Sequence, residues 1–334
     1  MKSSLGNRRK RKGKTISYPG SPEYLGIDIG GTKVALRLQN HRGENTAEET
    51  FRWPAARDPA ADLDLLADRI RSLLARRPAG LAGVGIALPA LCNPAGRVLT
   101  WPGRPSWAGL DLTAALHRML PDVPLVHADD GDLAALAEAR AADRANVLYL
   151  GVGTGVGGGV VHEGRLWPGP GRGSCEIGHL VVDLSGPRCD CGRIGCVQGV
   201  ASGPATLRRA AALRGRPVDF AELTAAVRAG EPWATSAVDV GAGALAAAAV
   251  GVAELARPEL IVVGGGFGIG VPGFVESVAA RVRELARPGV PPVPVTPAEL
   301  GGLSSLYGAL HLARDAFGPT QAPAHVPLEV ARLP

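Results

Sequence analysis

Residues 176–198 read E-I-G-H-L-V-V-D-L-S-G-P-R-C-D-C-G-R-I-G-C-V-Q, and they place His179, Cys189, Cys191 and Cys196 in an H-x9-C-x-C-x4-C array. Three thiolates and one imidazole are the ligand set that tetrahedral Zn²⁺ prefers. Four protein ligands leave no position for water, so the expected metal is structural and orders a loop with too few apolar residues to order itself. The competing reading is a disulfide or a set of small core residues. C-x-C is poorly suited to an internal disulfide, and Gly192 and Gly195 point to a tight turn around an ion.

A chain of 334 residues is long enough for two domains. Its hydrophobic content of 46% fits a soluble enzyme, and no apolar run is read as reaching the roughly 20 residues needed to span a bilayer. The N-terminus is basic, but no apolar stretch of signal-peptide type follows it, so a cytoplasmic location and no membrane partner are expected. The formal charge of +5 is concentrated in Lys2, Arg8, Arg9, Lys10, Arg11, Lys12 and Lys14, and the remainder is close to neutral. Composition predicts a disordered basic tail over residues 1–22 rather than a nucleic-acid-binding face.

Residues 24–36, Y-L-G-I-D-I-G-G-T-K-V-A-L, form an apolar strand interrupted by Gly30 and Gly31 and then resumed. This predicts a hairpin whose glycine turn offers backbone N–H groups to phosphate, with Thr32 and Lys33 adding a hydroxyl and a cation. Asp28, just before the turn, is placed to orient a metal ion and its water. A plain hairpin turn is the competing reading, but residues 146–161, N-V-L-Y-L-G-V-G-T-G-V-G-G-G-V-V, repeat the pattern. Two such turns can clamp the phosphates of one nucleotide, with Gly153, Thr154 and Gly155 as donors.

Between the turns, Leu63, Leu66, Ile70, Leu73 and Leu74 mark a helix within residues 60–77, and residues 83–89 read as a buried strand. Strand, helix and strand in that order predict an α/β domain. Residues 123–139 read as a strand, an acidic turn holding Asp129, Asp130 and Asp132, and a helix; such a cluster serves helix capping or proton abstraction. His127 beside it is expected to be a core residue of the strand rather than a base. Further helices are expected over residues 206–214, 220–229, 235–256 and 303–316. Residues 258–267 form a strand running into glycines that let a base and ribose approach the backbone at Gly265 and Gly266.

The stretch 176–198 resembles the signature of the ROK family of bacterial sugar kinases, epimerase-kinases and transcriptional repressors, and the glycine turns resemble those of the actin, Hsp70 and hexokinase-like ATPase fold. The resemblance spans residues 23–317 and implies a two-lobed α/β ATPase fold with a zinc-bound loop, binding ATP and Mg²⁺ beside a polyol. It implies that Asp130 is the catalytic base and that Glu176 and His179 touch the sugar. It also implies lobes over residues 23–129 and 130–302, with the last helix packing back on the first lobe, a Pro-rich tail over 318–334, and a homodimer. Three sugar readers of glucose-type members are changed here, to Gly103, Asp129 and Gln198, which points to a different polyol. The acid at Asp129 suits the ammonium of an amino sugar, a C7-cyclitol would also tolerate the lost contacts, and a glucose-type hexose stays open as the third candidate. A sugar-responsive transcriptional regulator of the same family is the rival expectation; it requires a DNA-binding domain ahead of Asp28, where about two dozen residues stand.

Overall fold

The computed structural model describes residues 22–54, 58–75, 80–93, 95–169 and 173–319. The expected basic tail, to residue 21, and the Pro-rich tail, from residue 320, lie outside the described residues.

The first half builds one sheet. Strands β1 (Glu23–Ile29) and β2 (Lys33–Asn40) form the expected hairpin, and β3 (Asn45–Arg52) extends it antiparallel at the edge. Helix α1 (Pro59–Leu74) follows; Asp58 caps it, Pro59 opens it, and Leu66, Ile70 and Leu73 bury one face at helical spacing. Strand β4 (Leu81–Ala87), the short pair β5 (Leu91–Cys92) and β6 (Val98–Thr100), helix α2 (Leu112–Met119) and strand β7 (Leu125–Ala128) complete this half. The sheet order is β3-β2-β1-β4-β7, with β1, β4 and β7 parallel.

After α3 (Asp130–Ala141), the second half repeats the plan. Strands β8 (Val147–Val152) and β9 (Val156–His162) form the second hairpin and β10 (Arg165–Trp167) its edge. Helices α4 (Val197–Ala201), α5 (Gly203–Arg214), α6 (Phe220–Arg228) and α7 (Pro232–Ala256) precede β11 (Leu260–Gly264). Helices α8 (Gly266–Gly270) and α9 (Phe274–Glu284), strand β12 (Val295–Pro297) and helix α10 (Ser304–Phe317) close the chain. The order β10-β9-β8-β11-β12 matches the first sheet, with β8, β11 and β12 parallel.

Each sheet has its own apolar core, and a third cluster joins them through Leu133, Ala134, Leu136, Tyr149, Val262 and Ala309. Helix α10 returns to the first sheet at van der Waals range: a Cβ on Gly85 would stand 1.8 Å from the Ala309 carbonyl oxygen, so only glycine admits the helix. Helix α7 qualifies the reading that no segment is apolar enough to span a bilayer, because by length and composition it passes that test, with 44% of its apolar window buried inside the protein. Its Ala237, Ala242, Leu245 and Ala249 are fully buried, and its packing against α5 and α9 makes it a core helix.

Candidate active site

The first glycine turn is closed by the Gly30 N–H on the Lys33 carbonyl at 2.9 Å. Its carbonyls point outward to fixed donors. Trp53 Nε1 donates to the Gly30 oxygen at 2.8 Å, the Trp53 N–H to the Thr32 oxygen at 3.1 Å, and Arg104 Nη1 to the Gly31 oxygen at 3.2 Å. Arg104 also forks onto Asp62 at 2.6–3.1 Å, and Trp107 Nε1 donates to the same carboxylate at 3.0 Å. Arg104 and Asp62 are buried, with side-chain exposures of 2% and 0%. Thr32 and Lys33 stay exposed, and Gly103 lies against Gly31, so that a Cβ on Gly31 would meet the Gly103 Cα at 3.4 Å.

Behind the turn is a group of carboxylates. Asp129 caps α3 by accepting the Gly131 N–H at 3.0 Å, and Asp130 opens the helix. Gly131 lets that helix end press on β9: a Cβ there would stand 2.8 Å from the Gly158 oxygen. Burial, then the nearby Asp130 charge, pushes Asp28 up to about 7, with Lys33 opposing. Asp129 is pushed up to about 8 by burial and by Asp130 and Asp132, with the Gly131 hydrogen bond opposing. Burial also raises Asp130 and takes Asp132 to about 7, where Glu176 and Asp130 add to it. The structure therefore gathers Asp28, Asp129, Asp130, Asp132 and Glu176 into one field of mutual repulsion, relieved when a cation or a proton enters. His127 sits on β7, partly buried, and burial lowers its pKa.

The second turn is closed by the Gly153 N–H on the Gly155 carbonyl, and Gly203 N–H at the start of α5 holds the Gly153 carbonyl, both at 2.9 Å. Thr154 is exposed at its tip. Gln198 Oε1 accepts the Val156 N–H at 3.2 Å, so this side chain is tied to the turn itself. Strands β8 and β11 run parallel with Gly151 opposite Gly264, which sets the Gly153 turn and the Gly265–Gly266 segment side by side at their carboxyl ends. A Cβ on Gly265 would stand 2.4 Å from the Val152 oxygen.

The donor atoms of His179, Cys189, Cys191 and Cys196 all lie within 4.8 Å of one another. His179 Nδ1 is 3.7 Å from Cys189 Sγ, and Cys191 Sγ is 3.6 Å from Cys196 Sγ. The sulfurs are free and too far apart for a disulfide. Tetrahedral zinc with ordinary Zn–S and Zn–N bonds separates its ligands by roughly 3.5–3.8 Å, so the set fits that ion. The loop reaches this shape through Gly192 and Gly195, at φ +91° and +74°. Its Val181, Leu184 and Ile194 remain exposed, so it has little core of its own.

Sequence reasoning did not find Asp62, Arg104 or Trp53. Asp62 is visible only as an acid in the first turn of α1, where capping explains it, and its partner is 42 positions away.

Two sheets of the same hairpin-led plan, each ending in a glycine turn and joined through a helix that begins in carboxylates, define the actin and hexokinase type of ATPase fold. The family model described as "ROK family" matches residues 24–316, and the chain belongs to that family. It is 52% identical over 295 residues to a kanosamine kinase from Amycolatopsis mediterranei, covering 88% of this chain and 97% of that one. It is 34% identical over 270 residues to an N-acetylmannosamine kinase from Escherichia coli, covering 77% and 88%. Among solved structures, a ROK family glucokinase from Streptomyces griseus in complex with glucose and AMPPNP superposes with a TM-score of 0.73 at 26% identity, covering 87% of this chain and 99% of that one.

Proposed function

We propose that this protein is an ATP-dependent kinase that phosphorylates the primary hydroxyl of an amino sugar, with Asp130 as general base. The observation that carries the reading is the set of buried carboxylates at the N-terminus of α3, beside two glycine turns of the kind that hold phosphates. In this reading the two sheets, over residues 23–129 and 130–302, are lobes that close on the substrates and exclude water, which would otherwise compete for the phosphoryl group. ATP with Mg²⁺ supplies the γ-phosphoryl group and charge neutralisation.

The residues have distinct tasks. Asp28 would hold the metal, and the Gly30 and Gly153 turns, with Thr32, Lys33, Thr154 and the Gly265–Gly266 backbone, would hold the nucleotide. Asp130 takes the proton of the attacking hydroxyl. Burial raises its pKa above the ordinary carboxylate range, which makes it a stronger proton acceptor than a solvated carboxylate. Glu176, the remaining face of His179 and the Gly103 loop surround the polyol, while Gln198 steadies the second turn. Zinc on His179, Cys189, Cys191 and Cys196 is structural, because all four positions come from the protein.

Substrate class follows from charge. Asp129 stands beside two other acids with its pKa pushed up to about 8. A free ammonium relieves that repulsion, whereas the acylated nitrogen of an N-acetyl sugar carries no charge. The 52% identity to a kanosamine kinase agrees with this choice. ADP release with Mg-ATP should be measured against kanosamine, glucose, N-acetylmannosamine and a valiolone-type cyclitol. The free amino sugar should have a kcat/KM at least tenfold above the others. A preference for the cyclitol would replace the substrate while keeping the reaction, and no turnover with any of them would remove the kinase reading.

A further inference from the structure

Neighbouring the carboxylates, the first glycine turn has three successive carbonyls, of Gly30, Gly31 and Thr32, each held from outside by Trp53 or Arg104. In a trans peptide the C=O and the following N–H point in opposite directions. Fixing the oxygens of Gly30 and Gly31 therefore turns the N–H groups of Gly31 and Thr32 to the opposite side. Among the described residues neither N–H has a partner within the protein. Consecutive N–H groups aimed in one direction make an anion-binding concavity.

We propose that Trp53 and Arg104 are positioning residues that hold the Gly30–Gly31–Thr32 backbone in its phosphate-accepting orientation. Neither touches the nucleotide, and each acts through a carbonyl. The guanidinium suits the task because its fork satisfies Asp62 through Nε and Nη2 and still has Nη1 for the Gly31 oxygen. A lysine ammonium cannot span both partners in that geometry. Trp107 donates to the same Asp62 carboxylate, and the Arg104 guanidinium lies 4.9 Å over the Trp53 ring, so the two braces support each other. Arg104 also follows Gly103 in the loop that rests on Gly31, so the brace and the turn it holds are in direct contact.

The inference rests on the reading that nucleotide phosphate occupies this turn. The test is the Kd for Mg·AMPPNP by calorimetry on wild type, Trp53→Phe and Arg104→Lys, with Tm and the KM values for ATP and sugar. Trp53→Phe keeps an aromatic ring and removes the indole N–H together with the five-membered ring that carries it, so Tm is read beside the affinity to register the lost packing on Phe51 and Trp107. The substitution should weaken AMPPNP and raise the KM for ATP about five- to tenfold, the scale of one hydrogen bond. The sugar KM should stay within twofold. Arg104→Lys should weaken AMPPNP at least as much; if that variant does not fold, Trp53→Phe decides alone. Unchanged AMPPNP affinity in Trp53→Phe overturns the positioning role, whatever happens to Tm. A wild-type protein that does not bind AMPPNP overturns the nucleotide reading as well, so the two failures are distinct.

Discussion

Asp129 combines two demands that pull in different directions. As the residue before α3 it accepts the Gly131 N–H, a task that Asn performs equally well. As a buried acid beside Asp130 and Asp132 it is repelled, and its pKa stands at about 8. Because the folded-state value lies above the unfolded one, the folded protein keeps a proton that the unfolded chain has lost. The resulting stability is fully present below about pH 4 and is lost as pH rises through about 8. Asp129→Asn should therefore raise Tm relative to wild type at pH 8.5 and change it little at pH 4. Melting curves at the two pH values check this, and an equal shift at both would show that the carboxylate is not repelled. The same change removes the proposed partner of the ammonium, so kcat/KM for an amino sugar relative to glucose should fall about tenfold or more.

At the scale of elements, the loop carrying His179, Cys189, Cys191 and Cys196 contrasts with the helices around it. Helix α1 buries Leu66, Ile70 and Leu73 and is held by a core, whereas the loop leaves Leu184 at 91% exposure and Ile194 at 47%. Its order is expected to come from the metal. Cys191→Ser should lower bound zinc, measured by atomic absorption, and Tm together, and a variant with full zinc and unchanged Tm would contradict the structural role. Activity should fall because Glu176 loses its place, while AMPPNP affinity holds. The elements differ too in how legible they were. The glycine-broken hairpins, α1 and α10 carry period or punctuation that survives in the bare sequence. Strand β3, with Asn45, Glu48 and Glu49, is a polar edge strand whose pairing to β2 decides its form. Helix α3 is buried almost all round from Gly131 to Ala139 and shows no amphipathic stripe, yet it was legible from the acidic turn that opens it. Helix α9 does bury Phe274, Val275, Val278 and Val282 at helical spacing, and that signal was there to be read.

For the whole molecule, the start of α3 ties the two repeated sheets together: the Asp130 charge acts on Asp28 at the end of β1, and Gly131 presses on Gly158 of β9. The glycine turns, the acids and the cluster of His179, Cys189, Cys191 and Cys196 were legible because each is a local pattern. The brace of Asp62, Arg104 and Trp53 was not, because it is assembled from three distant segments and none of its residues belongs to a local motif. Apo protein should also resist heat better at pH 5.5 than at pH 8.5, since Asp28, Asp129 and Asp132 all hold protons there that the unfolded chain releases. A flat Tm across that range would mean the carboxylates do not share one buried field. The most direct test of the account is kcat for Asp130→Asn with Mg-ATP and an amino sugar. Removing a positioned base while keeping its shape should lower kcat by about 10²- to 10⁴-fold, with AMPPNP affinity unchanged. A variant that turns over at the wild-type rate, with Asp129→Asn inactive in its place, would contradict the assignment of Asp130 as the base.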